Sequence, residues 1–238
     1  MHPRVSILTA LAFALAVALA APLLEAQVSI VDEGSFTVSR RGVRVGREEF
    51  SIRSSPSTSG ANVVVAQASA VYEDLRLFPA LTARADGVAS SYQLEIRRGA
   101  EVEERWTGTV GAGRVSARIA RAGVDAVREF LVADGALLLD DDVFHQFYFV
   151  ARRRPAATVA VIVPRRNRQV MLRLTDRGQQ TIDIAGQPLV AISFSATSPD
   201  GLERQVWVDA EGRVLRVAIP SQGLLAQRDD PPKGVVSR

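Results

Sequence analysis

Tyr92-Gln93-Leu94-Glu95-Ile96-Arg97 switches between apolar and polar at every step. Successive side chains of an extended chain point to opposite faces. Tyr92, Leu94 and Ile96 therefore share one side, and Gln93, Glu95 and Arg97 the other. A helix would scatter the same residues around its axis. Arg114-Val115-Ser116-Ala117-Arg118-Ile119 repeats the pattern, as does Val190-Ala191-Ile192-Ser193-Phe194-Ser195. Val170-Met171-Leu172-Arg173-Leu174-Thr175 follows it with Met171 as the exception. These stretches are strands with an apolar face and a face toward water or a polar lumen.

Turn residues fall between the runs. Arg41-Gly42 separates Phe36–Arg40 from Val43–Ile52, and Asp86-Gly87, Arg98-Gly99, Gly111–Gly113 and Asp134-Gly135 punctuate the chain further on. Asp209-Ala210-Glu211-Gly212 joins Gln205–Val208 to Val214–Ile219 as a hairpin. Ser54–Gly60 reads as a surface connection. Gly111-Ala112-Gly113-Arg114 lacks the third Gly and the Lys-Ser/Thr of a phosphate loop and precedes a strand, so it is a turn. The spacing predicts an all-β, mainly antiparallel fold of about ten to twelve strands, curved into a half-barrel or barrel.

One segment interrupts the alternation. Asp140-Asp141-Asp142 precedes Val143-Phe144-His145-Gln146-Phe147-Tyr148-Phe149-Val150-Ala151, and Arg152-Arg153-Arg154-Pro155 follows. Acids before and arginines after complement a helix dipole, an Asp can cap the first turn, and Pro155 can stop the last. Val143, Phe147 and Val150 recur at helical spacing. The segment reads as one helix against the concave face of the sheet; a buried aromatic strand is the competing reading.

Residues 1–26 read as a secretory signal. Arg4 gives a short basic start, Val5 to Ala21 is uncharged, and small residues follow. Cleavage fits after Ala20 or after Ala26. Residues 27–226 then form a single β domain that needs no transmembrane span, with 227–238 as a flexible tail, and the protein works in the periplasm or outside the cell. The chain has no Cys, so its core must stabilise it without disulfides. The formal charge is +3 and interspersed along the chain, and Lys233 is the only Lys. A nucleic-acid partner, which would concentrate basic residues on one face, is not expected.

Catalytic and metal chemistry find little support. Beyond the signal the only His is His145, which rules out a zinc site built on His and Cys. No Gly-x-Ser-x-Gly elbow occurs. His145 reads as a half-buried helix residue. Asp140–Asp142 lack the alternating spacing of a calcium loop, and a helix start accounts for them. Glu48-Glu49 and Glu103-Glu104 lie in strand-like runs, where one of each pair faces solvent. No metal or cofactor is expected. The ligand-binding candidates are Phe144, Phe147 and Tyr148 on the aromatic segment, with Trp106 and Trp207, the only tryptophans. Each Trp either lines a cavity or packs in the core.

Two stretches carry a resemblance. Gly34-Ser35-Phe36-Thr37-Val38-Ser39-Arg40-Arg41-Gly42-Val43-Arg44-Val45-Gly46-Arg47-Glu48-Glu49-Phe50 forms an opening hairpin. Val206-Trp207-Val208-Asp209-Ala210-Glu211-Gly212-Arg213-Val214-Leu215-Arg216-Val217 forms a late one. Their order resembles that of uncharacterised exported bacterial β proteins, which are similar to the lipoprotein-carrier half-barrel superfamily of the periplasm. The resemblance implies a curved antiparallel sheet, a helical element on its concave face, and acyl chains held in the concavity. The resulting expectation is an exported, non-catalytic protein binding a lipid or other hydrophobic ligand. A cell-envelope structural or interaction module with an envelope protein partner is the alternative, and a hydrolase of envelope polymers the third reading.

Overall fold

The computed structural model describes residues 28–56, 61–154 and 158–233. The apolar N-terminal run with its cleavage points, residues 57–60 of the expected surface connection, and Pro155 lie outside the described residues.

The first half of the chain is a meander. It runs through β1 (Ser29–Arg40), β2 (Val43–Pro56), β3 (Asn62–Tyr72), β4 (Leu75–Arg84), β5 (Ala89–Arg98), β6 (Glu101–Gly111), β7 (Arg114–Arg121) and β8 (Val124–Leu131). The two-residue β9 (Leu137–Leu138) and the helix α1 (Phe147–Ala151) follow. A second meander takes β10 (Thr158–Val163), β11 (Arg168–Ile184), β12 (Gln187–Thr197), β13 (Glu203–Val208), β14 (Val214–Ile219) and β15 (Leu224–Arg228). All fifteen strands form one sheet in the order β8 to β1, then β15 back to β9. It is curved, antiparallel except for β9 on β10, and not closed, because β8 and β9 do not pair. At the open seam the Ala133 N–H donates to Gln169 Oε1 at 2.5 Å.

The architecture is the expected one, with more strands than about ten to twelve. Ala122-Gly123 and Ala185-Gly186 have positive φ at both residues, the geometry of a tight I′ hairpin turn. Neither pair is among the turn signals read from the sequence, because Ala does not mark a turn. Arg41-Gly42 and Ala112-Gly113 make the same turn.

The alternating residues do what their period requires. Tyr92, Leu94 and Ile96 are buried, while Gln93 is exposed and Glu95 partly so. Phe36, Ile52, Leu77, Leu81 and Val206 pack on the same inner side. Trp106 is core: it is buried and tilted against Tyr92 at 5.5 Å between ring centres. Gly108 makes this possible, since a Cβ there would lie 2.5 Å from the Trp106 ring.

Trp207 belongs elsewhere. The far ends of β11 and β12 pair only with each other and form a hairpin beyond the main sheet. Ile182, Ile184 and Ala191 from this hairpin pack with Leu215, Leu189 and Trp207 in a separate cluster. The Arg216 guanidinium lies over the Trp207 ring at 5.6 Å.

The segment Ala136–Ala151 is the second departure. Apart from Asp141 and Asp142 it is entirely buried, and it straps across the inside of the sheet. The Ala89 N–H of β5 donates to the Ala136 carbonyl, and the Leu139 N–H to the carbonyl of Ile162 in β10. The helix is shorter than its spacing suggests. It begins at Phe147, with Gln146 before it and no acid in its first turn. Asp140–Asp142 therefore do not cap it; arginines beyond the strap draw them away. His145, expected on the helix and half-buried, precedes it and is 1% exposed.

Residues 227–233 of the expected tail are described, and 234–238 lie outside the described residues. Arg228 ends β15 and is 2% exposed, because Asp32 meets it inside. Asp229 continues the anchorage. Its carboxylate accepts hydrogen bonds from the hydroxyls of Ser35 and Thr37, both at 2.6 Å, and Arg47 lies 3.3 Å away. Burial would raise this carboxyl, but the two hydroxyls and Arg47 outweigh it and hold it below the ordinary range. A depressed acid adds stability above its unfolded pKa and loses it as pH falls through the folded value. Asp229→Asn is thus expected to lower the urea midpoint at pH 7, with the gap to wild type closing as pH falls below the ordinary Asp value of about 3.9. A gap as large in acid as at neutral pH would contradict this account.

Candidate functional site

Glu48 sits on the inner face of β2, in phase with Phe50 and Ile52, and is fully buried. Its carboxylate is consumed by the strap. Oε2 accepts the Phe144 N–H at 2.7 Å, and Oε1 accepts the His145 N–H at 2.9 Å. His145 Nδ1 lies 2.6 Å from Oε1, so an ionised Glu48 accepts a hydrogen bond from Nδ1–H. His145 Nε2 is buried without a hydrogen-bond partner among the described residues. The imidazole stacks on Phe50 at 5.7 Å, and the Arg228 guanidinium lies over the same ring, 5.3 Å from its centre.

A second set of polar contacts fixes the start of the strap. The Tyr92 hydroxyl donates to Asp140 Oδ2 at 2.9 Å, and Arg165 Nε donates to Asp140 Oδ1 at 3.1 Å. Burial pushes the Asp140 carboxyl up, opposed by Arg165 and Tyr92. Arg166 grips Asp141 through Nε at 2.6 Å and Nη2 at 2.9 Å. The Tyr72 hydroxyl donates to the Asp142 carbonyl at 2.8 Å. The three aspartates are thus held by arginines and tyrosines, and no group of three or more metal-ligating side chains converges among the described residues. Glu49 is exposed, and Glu103 and Glu104 on β6 are partly buried.

Beside the strap lies a cavity of about 240 Å³. Phe144, Phe147, Val161 and Leu172 give it apolar walls, and Arg166, Arg168 and Arg204 bring charge to it. Arg204 shares the inward phase of Val206 and Val208 on β13. Tyr148 lines a different cavity of about 280 Å³ with Val64, Phe149 and Arg152. The structure therefore brings Phe144 and Phe147 together, puts Tyr148 on the other side of α1, and leaves Trp106 and Trp207 out of both cavities. Arg204 and Arg228 were absent from the sequence candidates, and Glu48 was read only as one of a strand pair. Their signal is period two: each is a charged residue in phase with a buried apolar row.

Among the described residues no helix is long and apolar enough to cross a membrane. No family model and no curated protein matches the chain. Among solved structures it is similar to the crystal structure of a beta-barrel-like protein of domain of unknown function DUF1849 from Brucella abortus. The similarity has a TM-score of 0.55 at 8% identity and covers 90% of this chain and 98% of that one. At that identity the likeness speaks for the fold alone, a barrel-like β sheet.

Proposed function

We propose that this chain is an exported, non-catalytic protein that holds an acyl chain or another hydrophobic ligand on the concave side of its sheet. The observation that carries this reading is the cavity beside the strap, with Phe144, Phe147, Val161 and Leu172 as its walls. Ligand sites of this type are apolar with a few polar anchors. The cavity is smaller than the usual range of about 300–1,000 Å³, which suits one chain rather than a whole lipid. The barrel-like fold is consistent with the carrier half-barrels that the two hairpins resemble. His145 supports a non-catalytic reading, because its ring is buried and its Nδ1 is committed to Glu48.

The test is titration with dansyl-labelled undecanoic acid, alongside native mass spectrometry of protein purified from the exported fraction. Val170 lines the cavity and is only partly buried. Val170→Trp is expected to fill the cavity and weaken binding by about tenfold, roughly 1.4 kcal/mol, with the fold retained. Equal affinity in the two proteins would end this reading.

One observation favours an envelope interaction module instead. β8 is an edge strand on which Val124, Val127 and Leu131 are 67%, 66% and 74% exposed. Edges of this kind are usually blunted or covered. A protein that binds no chain would move the weight to this surface.

A further inference from the structure

We infer that the cavity beside the strap takes an anionic amphiphile, with a carboxylate or phosphate head on Arg204 and Arg168 and the chain against Phe144, Phe147 and Leu172. This rests on the hydrophobic-ligand reading above and adds the chemistry of the head.

The charges around the cavity decide the sign. Four carboxylates line it, Asp140, Asp141, Asp142 and Asp200, and each is already engaged. Asp140 has Tyr92 and Arg165. Asp141 has the two-pronged contact from Arg166, and Asp142 lies 3.6 Å from Arg165. Asp200 accepts the Ser198 hydroxyl at 2.6 Å and the Leu202 N–H at 3.3 Å.

The arginines are unevenly used. Arg166 is spent on Asp141. Arg168 and Arg204 have no carboxylate within 4.0 Å among the described residues. For Arg204 the only hydrogen bond among them is a long one, from Nη1 to Ser198 Oγ at 3.4 Å. A guanidinium carries five donors, so Arg204 has most of its capacity open on the cavity. Burial pulls its pKa below the ordinary value; Asp141 and Asp200 oppose this from a distance. A half-buried cation with no carboxylate in direct contact is costly to keep, and an anion at the mouth would relieve that cost. Arg is also the side chain best shaped for planar oxyanions.

The experiment is calorimetric titration of the full protein with dodecanoate, dodecyl phosphate, dodecanol and inorganic phosphate, each below micellar concentration. Dodecanoate or dodecyl phosphate should bind about tenfold or more tighter than dodecanol, as expected for hydrogen bonds to a charged group. Arg204→Gln should erase most of that preference; Arg204→Lys should keep part of it. The wild-type comparison needs no variant and stands even if Arg204→Gln fails to fold. Dodecanol binding as tightly as dodecanoate would overturn the anionic head and leave the hydrophobic-ligand reading intact. No binding of any chain would overturn both. Inorganic phosphate binding as tightly as dodecyl phosphate would make this a simple oxyanion site and also overturn the inference.

Discussion

Glu48→Ala should cost this protein about 3–5 kcal/mol, because each buried donor left without an acceptor costs about 1–3 kcal/mol. The reason lies in what the carboxylate leaves behind. Two backbone N–H groups, of Phe144 and His145, and the His145 Nδ1 proton all point at Glu48. Alanine cannot accept from any of them, and Glu48 is fully buried, so water is not at hand to replace it. A domain of this size loses about 2–4 °C per kcal/mol, so the melting midpoint should fall by roughly 10 °C. Glu48→Gln keeps the shape and one acceptor oxygen and should fall between the two. The strap should also loosen before the sheet does. Amide exchange at residues 143–151 of the alanine variant should therefore speed up more than at β4 and β5. Stability within about 1 kcal/mol of wild type would mean the contact is dispensable.

Arg228→Met should cost a similar amount. Arg228 contacts Asp32 through Nη1 at 3.0 Å and Nη2 at 2.8 Å, with both side chains nearly out of solvent. Gly34 gives the guanidinium room, because a Cβ at that position would lie 2.8 Å from Nη2. Burial raises the Asp32 carboxyl even though Arg228 bonds to it and attracts it. An acid raised on folding favours the fold at low pH and loses that contribution as pH rises through its folded value. Removing Arg228 takes away the opposing influence and leaves an uncompensated buried charge at neutral pH, about 3–5 kcal/mol. The double variant Asp32→Leu, Arg228→Met should recover most of the loss, since a well-packed apolar pair can replace a buried ion pair. Chemical denaturation of the four proteins in the cycle measures this. A double variant as unstable as the single one would show that the pair does more than satisfy itself.

Much of the fold is legible in the chain because period two is a strong constraint. Tyr92–Arg97 and Arg114–Ile119 became strands with the faces their residues dictate. The aromatic segment was the hard part. Its residues are nearly all apolar apart from His145-Gln146, so the helical spacing of Val143, Phe147 and Val150 is not distinctive, and burial on all sides explains the composition. Its flanking aspartates looked like a helix start because a single sequence does not show Arg165 and Arg166, which follow β10, waiting across the concavity. Trp207 was ambiguous for a similar reason. Only the folding back of the β11–β12 hairpin reveals that the opposite side of β13 is also covered. The inward charges were readable in principle. Glu48, Arg204 and Arg228 each interrupt an apolar row at the in-phase position, and a charge there means either a partner inside or a task.

The sheet order has a consequence for assembly. Every seam joins strands that are neighbours in the chain except one, between β1 and β15 in mid-sheet, where Phe36 faces Arg228. The two meanders are rich in local contacts, and the entropy of closing a long loop is met at that one seam. Asp32–Arg228 and the hydroxyl clasp on Asp229 lie at the same place. The most specific charge contacts in the molecule thus mark the point where its beginning must recognise its end.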